Sequence, residues 1–402
     1  MKQMDQKENK WKWMEQVLKK LEEQHLYRSM KQLTSAQSAH VTYQGKDVLM
    51  LASNSYLDMS NDAEVKQYAG EILQQYGVGS GGSRLTTGNT EVHEKLEQKL
   101  AAFKHTEAAV VFNTGYVANL ATISALCDKD SVILSDELNH ASIIDGCKLS
   151  QAQIVVYAHN NMKDLETKAQ QYAGKRGLIV SDAVFSMDGD IVNLPELMRI
   201  ADQYGFLSMI DEAHATGVIG KTGRGTVEYF GLTRNPDVLM GTLSKALGGE
   251  GGFVCGSRTL IEYLKNKARG FIFSTSLSPV TMASSYKALE ILEQHPERVA
   301  QLQKNGITFC EALARRGIDT RSETAIIPVV IGEEAKTLEV AQRLLEQGFF
   351  VSAIRFPTVK KGSERLRIAL MSSHTPQELE AAAEAIADLI HALKGDKSCK
   401  SC

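Results

Sequence analysis

A chain of 402 residues, 43% hydrophobic and 23% charged, is long enough for two or three structural units around a large buried core. Its 45 Lys and Arg against 48 Asp and Glu leave a formal charge of −3, too weak a basic field for nucleic-acid binding. No stretch approaches the roughly 18 apolar residues of a membrane span, and the polar segment 1–13 lacks the apolar centre of a secretory signal, so the expected compartment is the cytoplasm.

Met14, Val17, Leu18, Leu21 and Leu26 recur at helical spacing and predict an amphipathic helix in an N-terminal arm. VTYQGKDVLMLAS (41–53) reads as a hairpin turned at Gly45. From about Glu64 to Glu293, helical stretches such as Val65 to Tyr76 alternate with short apolar runs. These are AAVVF (108–112), VILS (132–135), IVVY (154–157), LIVSD (178–182), LSMID (207–211) and VLMGT (238–242). Continuous runs of this length between helices predict buried parallel strands in βαβ units. Beyond about His295 the pattern changes. Two amphipathic helical stretches flank IIPVVIG (326–332) and RLRIALM (365–371), which predicts a smaller α+β domain. The final helix opens on a capping box, with Thr375 as cap, Pro376 after it and Glu378 three on. The expected division is an arm at 1–56, a large domain at 57–293, a small domain at 294–395 and a disordered tail at 396–402.

Several motifs fail on inspection. Gly77, Gly79 and Gly82 match G-x-G-x-x-G, but a helical stretch precedes them where a dinucleotide site needs a strand. Gly220-Lys221-Thr222 resembles the end of a phosphate loop, yet Ala215 stands where the first glycine belongs. His93-Glu94 lacks the second histidine of a zinc protease, position 97 being Glu. Cys127, Cys147, Cys255 and Cys310 are scattered singly and read as inert thiols. The Cys399/Cys402 pair sits in a Lys/Ser tail with no second ligand pair, so neither redox chemistry nor a metal is expected there.

The informative pair is Asp211 and Lys245. Asp211 ends a buried run, at the end of a strand where open α/β sheets place ligands, and needs a cationic counterpart. Lys245 follows VLMGTLS and sits among Ser244, Ala246, Gly248 and Gly249, where desolvation lowers an amine's pKa and small neighbours leave room for a ligand. An amine for an aldehyde and an acid for a ring nitrogen suit pyridoxal 5′-phosphate (PLP). Asn113-Thr114-Gly115-Tyr116, between a strand and a helix, supplies a start suited to phosphate, and Thr242 and Ser244 add hydroxyls beside the lysine.

SNSYL (53–57), GSGGSRLTTGNT (79–90), NTGYVAN (113–119), DELNHASIIDGC (136–147), SDAVFSMDGD (181–190), IDEAHATGVIGKTGRG (210–225), GTLSKALGGEGG (241–252) and FSTSLSP (273–279) together resemble the α-oxoamine synthases. The resemblance covers nearly everything up to about Leu393. It implies the PLP-dependent transferase fold type I: a large, mainly parallel sheet domain with helices on both faces, an N-terminal arm and a smaller α+β C-terminal domain. It implies that Lys245 holds the cofactor's aldehyde, Asp211 meets the ring nitrogen and His140 stacks on the ring. His214 and Ser186 match residues near the ring hydroxyl, and Asn54 matches one close to the cofactor. Gly115, Tyr116 and Thr242 match phosphate contacts, with Ser274 and Thr275 contributed by the partner subunit of a homodimer. Segment 353–375 most resembles the biotin-pathway member, which joins L-alanine to a pimeloyl thioester of CoA or acyl-carrier protein. Phe356 replaces a proline of that pattern, and Asp58 stands where the family often has glycine. On this resemblance Arg28, Arg355 and Thr358 serve the acyl substrate, and Arg367 the amino-acid carboxylate. The member using glycine and acetyl-CoA, an aminotransferase or lyase of the same fold, and a PLP-free structural subunit are the competing readings. The intact Lys245 argues against the last.

Overall fold

The computed structural model describes residues 2–24 and 26–395; the Cys399/Cys402 pair and the tail expected from 396 lie outside the described residues. The N-terminal helix runs Lys2–Glu23, longer than its apolar stripe, with Leu26 beyond its end. Trp11, Trp13, Met14, Val17 and Leu18 remain exposed on it. The expected hairpin forms from β1 (His40–Tyr43) and β2 (Lys46–Met50). Its two turn residues, Gln44 and Gly45, both take positive φ (52° and 76°), the geometry that matches a two-residue turn to strand twist.

The six apolar runs become β3 (Ala108–Phe112), β4 (Val132–Asp136), β5 (Gln153–Tyr157), β6 (Gly177–Asp182), β7 (Leu207–Asp211) and β8 (Val238–Thr242). A seventh strand, β9 (Gly252–Gly256), escaped the reading because GFVCG is too glycine-rich to register as an apolar run. It also departs from the parallel expectation. β9 follows β8 after a helix-free connection, so it returns antiparallel and inserts between β3 and β8. The sheet order is β3-β9-β8-β7-β6-β4-β5. Alternate strand residues feed two cores. Val110, Ile133, Leu178, Met209 and Val254 face one layer of helices, while Val111, Leu134, Ile179, Ile210 and Phe253 face the other. Burial on both faces is why these strands read as unbroken apolar runs, except the edge strand β5, whose Ile154 and Val156 are exposed.

The C-terminal part forms a second sheet from β10 (Ile326–Val330), β12 (Ser352–Ile354) and β13 (Arg365–Ala369), with β13 central and antiparallel to both neighbours. Helices Glu297–Arg315, Glu334–Glu346 and Pro376–Gly395 accompany it. β11 (Phe349–Phe350) pairs in parallel with β2, joining the arm to this part of the chain. The capping box is present: Glu378 N donates to Thr375 Oγ1 (3.3 Å) and Thr375 N to Glu378 Oε2 (2.7 Å). No helix among the described residues is long and apolar enough to cross a membrane. Burial pushes the thiols of Cys127, Cys147 and Cys255 up to about 12, which leaves them unreactive.

One buried ion pair fixes the loop after β7. Lys104 Nζ donates to Glu212 Oε2 (2.5 Å), Thr216 Oγ1 (2.7 Å) and the Arg224 carbonyl (2.8 Å), and both side chains of the pair are 1% exposed. Glu212 Oε1 takes the Thr226 N–H at 2.7 Å. Removing one partner strands a charge, so Lys104→Met should cost about 3–5 kcal/mol in denaturant unfolding. Lys104→Met combined with Glu212→Leu should recover most of that. Equal losses in both variants reject the interpretation.

Candidate active site

Parallel strands β4, β6 and β7 all end in a buried aspartate: Asp136, Asp182 and Asp211. Backbone N–H groups just beyond the strands bind these carboxylates. Leu138 N reaches Asp136 Oδ1 (2.9 Å), His140 N reaches Asp182 Oδ2 (2.6 Å) and Ala213 N reaches Asp211 Oδ1 (2.8 Å). Asp182 and Asp211 are register partners on adjacent strands. Burial, and next the charge of Asp211, raise the Asp182 carboxyl well above the usual carboxylate range. Asp211 receives a second hydrogen bond from Asn119 Nδ2 (2.7 Å), on the helix Gly115–Leu126.

Lys245 lies in the connection after β8. Burial lowers its amine to about 8, with Asp211 and Asp182 working against the shift and Arg367 adding to it. His140 caps the helix Ala141–Ser150, its Nδ1 2.7 Å from Ser142 Oγ. Burial holds its imidazole below its ordinary pKa; Asp211 opposes the shift and Lys245 adds to it. His214 is buried, with Nδ1 2.7 Å from Tyr56 Oη. Burial, then Lys245, Arg367 and His140, keep it neutral. Arg367, buried on β13, donates from Nη2 to Asn54 Oδ1 (3.0 Å) and from Nε to the Ser186 carbonyl.

Thr114 caps the helix Gly115–Leu126 by accepting the Val117 N–H at 3.0 Å, so the chain enters Gly115 and Tyr116 as a true helix start. A Cβ on Gly115 would lie 3.4 Å from Thr242 Oγ1, so that hydroxyl and the helix start share one cradle. A Cβ on Gly252 would meet Gly115 N at 2.8 Å, which is why β9 carries glycine there. Thr242 Oγ1 is 2.8 Å from Ser244 Oγ. The Tyr116 side chain is exposed, its hydroxyl donating to Asp145. Thr275 bridges to Ser83, and its carbonyl accepts from Asn113 Nδ2 (2.7 Å); Ser274 precedes it.

Lys245, Asp211, His140, His214 and Arg367 thus form one electrostatically linked group, with Asn54 and Ser186 holding Arg367. Arg28, Arg355 and Thr358 belong elsewhere, lining a groove of about 1340 Å³ between the arm and segment 350–358. Arg355 is not free: Nε lies 3.1 Å from Glu334 Oε1, and Nη2 donates to the Tyr27 carbonyl (3.3 Å). Sequence reasoning passed over Asn119, Tyr56 and Asp182. Asn119 and Tyr56 stood inside quoted segments, and Asp182 carried the same strand-end signal that singled out Asp211.

The residues fit PLP. A lysine amine of lowered pKa lies in the field of a buried carboxylate. A helix start and a threonine hydroxyl share a cradle. Asn119 Oδ1 is buried with no partner, a polar atom left for a bound group.

A family model described as aminotransferase class I and II matches residues 46–386. The chain belongs to this family. Within it, 8-amino-7-oxononanoate synthase from Citrifermentans bemidjiense is 49% identical over 370 residues, 91% of this chain and 95% of its relative. A solved structure of that enzyme from Francisella tularensis is 30% identical with a TM-score of 0.75, covering 86% of this chain and 99% of the other. Serine palmitoyltransferase from S. paucimobilis, solved as a lysine-to-alanine variant with bound PLP and myriocin, is 30% identical with a TM-score of 0.90, covering 96% and 98%. As an aminotransferase class I and II member of the α-oxoamine synthase group, this chain is a PLP-dependent acyltransferase.

The Lys245 environment has a direct readout. In cofactor-free protein, labelling of Lys245 by an amine-reactive anhydride, followed by mass spectrometry, should rise through about pH 8, well below ordinary lysines. Asp211 raises the Lys245 pKa, so Asp211→Asn should shift the midpoint lower still. A midpoint near 10 in the native chain contradicts the site.

Proposed function

We propose that the enzyme condenses L-alanine with a pimeloyl thioester, carried by CoA or acyl-carrier protein, to give 8-amino-7-oxononanoate for biotin biosynthesis. The observation that carries this reading is the pair of cations, Arg28 and Arg355, on the wall of a groove roomy enough for a long acyl chain. A pimeloyl chain ends in a carboxylate that is costly to bury unpaired. An acetyl group has no such end, and a palmitoyl chain ends in a methyl. Glu334 meets Arg355 at its Nε edge, so donors on the Nη groups remain for a second carboxylate. The names of the similar relatives support the same choice.

PLP, when bound, supplies an aldehyde for the amino group and an electron-withdrawing ring for negative charge at the α-carbon. Asp211, oriented by Asn119 and Ala213 N, keeps a proton at the ring nitrogen. Lys245 holds the aldehyde, then removes and returns the α-proton; its lowered pKa leaves far more neutral amine than an ordinary lysine has. His140 covers the ring, and His214, held by Tyr56, acts with Ser186 near the ring hydroxyl. Gly115, Tyr116 and Thr242 bind phosphate, and Ser274 and Thr275 reach it from a second copy in a homodimer. Arg367 pairs with the alanine carboxylate, steadied by Asn54 and the Ser186 carbonyl. The new bond joins the α-carbon to the thioester carbonyl carbon; the thiol leaves, and the original carboxylate departs as carbon dioxide. The enzyme works in the cytoplasm, built as an arm, a large PLP domain and a small C-terminal domain.

Purified enzyme offered alanine, glycine or serine with pimeloyl, acetyl or palmitoyl thioesters should favour alanine with pimeloyl. Preference for another pairing overturns the substrate and leaves the reaction class. Lys245→Ala should abolish turnover and the visible absorbance of the loaded enzyme. Arg355→Ala should raise KM for pimeloyl thioester about tenfold, since the pair is partly exposed, and spare alanine binding. Loss of the alanine response instead would make Arg355 the amino-acid ligand.

A further inference from the structure

His159, in the loop after β5, is held at both ends. Its Nδ1 lies 3.0 Å from Asp136 Oδ1 and its Nε2 2.8 Å from Asp190 Oδ2. The ring stands edge-on to Phe185, centroids 4.3 Å apart and planes at 85°. Burial works against the imidazolium, but hydrogen bonds to Asp136 and Asp190, and then their charges, outweigh it and push the ring up to about 10. At neutral pH His159 is a fixed cation between two carboxylates. The chemistry derived above makes no use of it.

Its second partner explains what it is for. Asp190 closes a tight turn: Gly189 N donates to the Phe185 carbonyl (2.8 Å), and Phe185 N to the Asp190 carbonyl (3.1 Å). Each residue across the top of that turn is gripped from the C-terminal part of the chain. The Ser186 carbonyl accepts from Arg367, the Met187 carbonyl from Arg365 (3.2 Å), the Asp188 carboxylate from Arg365 and the Gly189 carbonyl from Thr324 (3.1 Å). A Cβ on Gly189 would lie 2.2 Å from the Ile326 carbonyl, so turn and sheet touch without slack. The Asp190 carboxylate faces the other way, toward His159. Its Oδ1 is buried and has no partner, so His159 is the one side chain among the described residues that neutralises it directly. Without His159 the half-buried carboxylate loses its one charged partner while its Oδ1 stays buried and unpaired, and the turn gains by shifting to hydrate it.

The geometry points to His159 as a positioning residue for the amino-acid substrate. By anchoring the turn through Asp190 it sets the Ser186 carbonyl, and that carbonyl sets the direction of the Arg367 guanidinium. The inference rests on the reading of Arg367 as the carboxylate ligand. It does not extend to the acyl substrate, because Arg28, Arg355 and Thr358 line a separate groove with no link to this turn among the hydrogen bonds described.

The test uses the full-length, PLP-loaded enzyme. L-Alanine is titrated against the visible spectrum, and KM for pimeloyl thioester is measured in parallel. His159→Phe should weaken alanine about tenfold while moving the thioester KM less than about twofold, a split that general loosening does not produce. His159→Gln, which keeps one hydrogen bond, should fall between. Should His159→Phe fail to fold, adding Asp190→Leu removes the unpaired carboxylate, and this double variant should fold yet still bind alanine weakly. Unchanged alanine affinity, or equal losses for both substrates, overturns the inference. Arg367→Ala serves as the control. If it leaves alanine affinity intact, the carboxylate assignment and this inference fall together. If it weakens alanine and His159→Phe does not, this inference falls alone. Where the wild type responds to another amino acid, that one replaces alanine, because the carboxylate is common to all.

Discussion

Three carboxylates end buried at neighbouring strand tips, and most of the site is arranged around keeping them there. Each of Asp136, Asp182 and Asp211 needs donors or cations that water no longer supplies. The answers differ. Asp136 has a histidinium, backbone N–H groups and a place beside the β5 loop. Asp182 has the His140 N–H, and its carboxyl is raised well above the usual carboxylate range. Asp211 has Asn119, the Ala213 N–H and the field of Lys245. Because Asp182 and Asp211 are register neighbours, the pair could not both carry charge cheaply, and burial with the charge of Asp211 raises the Asp182 carboxyl.

The same economy runs outward. The Lys104–Glu212 pair holds the loop directly after Asp211, and Glu212 is the very next residue. On the other side the 185–190 turn presents four successive acceptors to Arg365, Arg367 and Thr324. Ion pairs and hydrogen bonds thus gather around the strand ends where Asp211 and Asp182 lie.

Much of this was legible in the residues. Five of the seven large-sheet strands announced themselves as apolar runs because both faces are buried, and the edge strand β5 did so although Ile154 and Val156 stay exposed; alternation of cores then follows from the pleat. β9 did not, since its two glycines and antiparallel course serve close packing against Gly115 and not apolar burial as such. Asp211 and Lys245 were visible because a charge at the end of an apolar run and a lysine among glycines are both expensive. Asn119 was not, because one amide in a helix looks like any surface residue until its neighbours are known. His159 was wholly hidden: its partners, Asp136 and Asp190, come from two other stretches of chain, and only the fold brings them to one ring. The Arg355–Glu334 contact was equally unreadable, joining a strand end to a helix that periodicity did not single out.

The parallel pairing of β2 with β11 has a consequence for how the chain is made. Leu49 and Met50 emerge early from the ribosome, but their strand partners are Phe349 and Phe350, three hundred positions later. At about 5–20 residues per second the wait is roughly 15–60 s. Through that interval the hairpin has one edge unpaired and its buried residues uncovered, an arrangement that invites wrong partners. The two lysines of its neighbourhood, Lys31 and Lys46, together with the acid Asp47, put charge beside that edge. β11, made some three hundred residues after β2, closes that edge, so translation order puts the hairpin ahead of the strand that completes it.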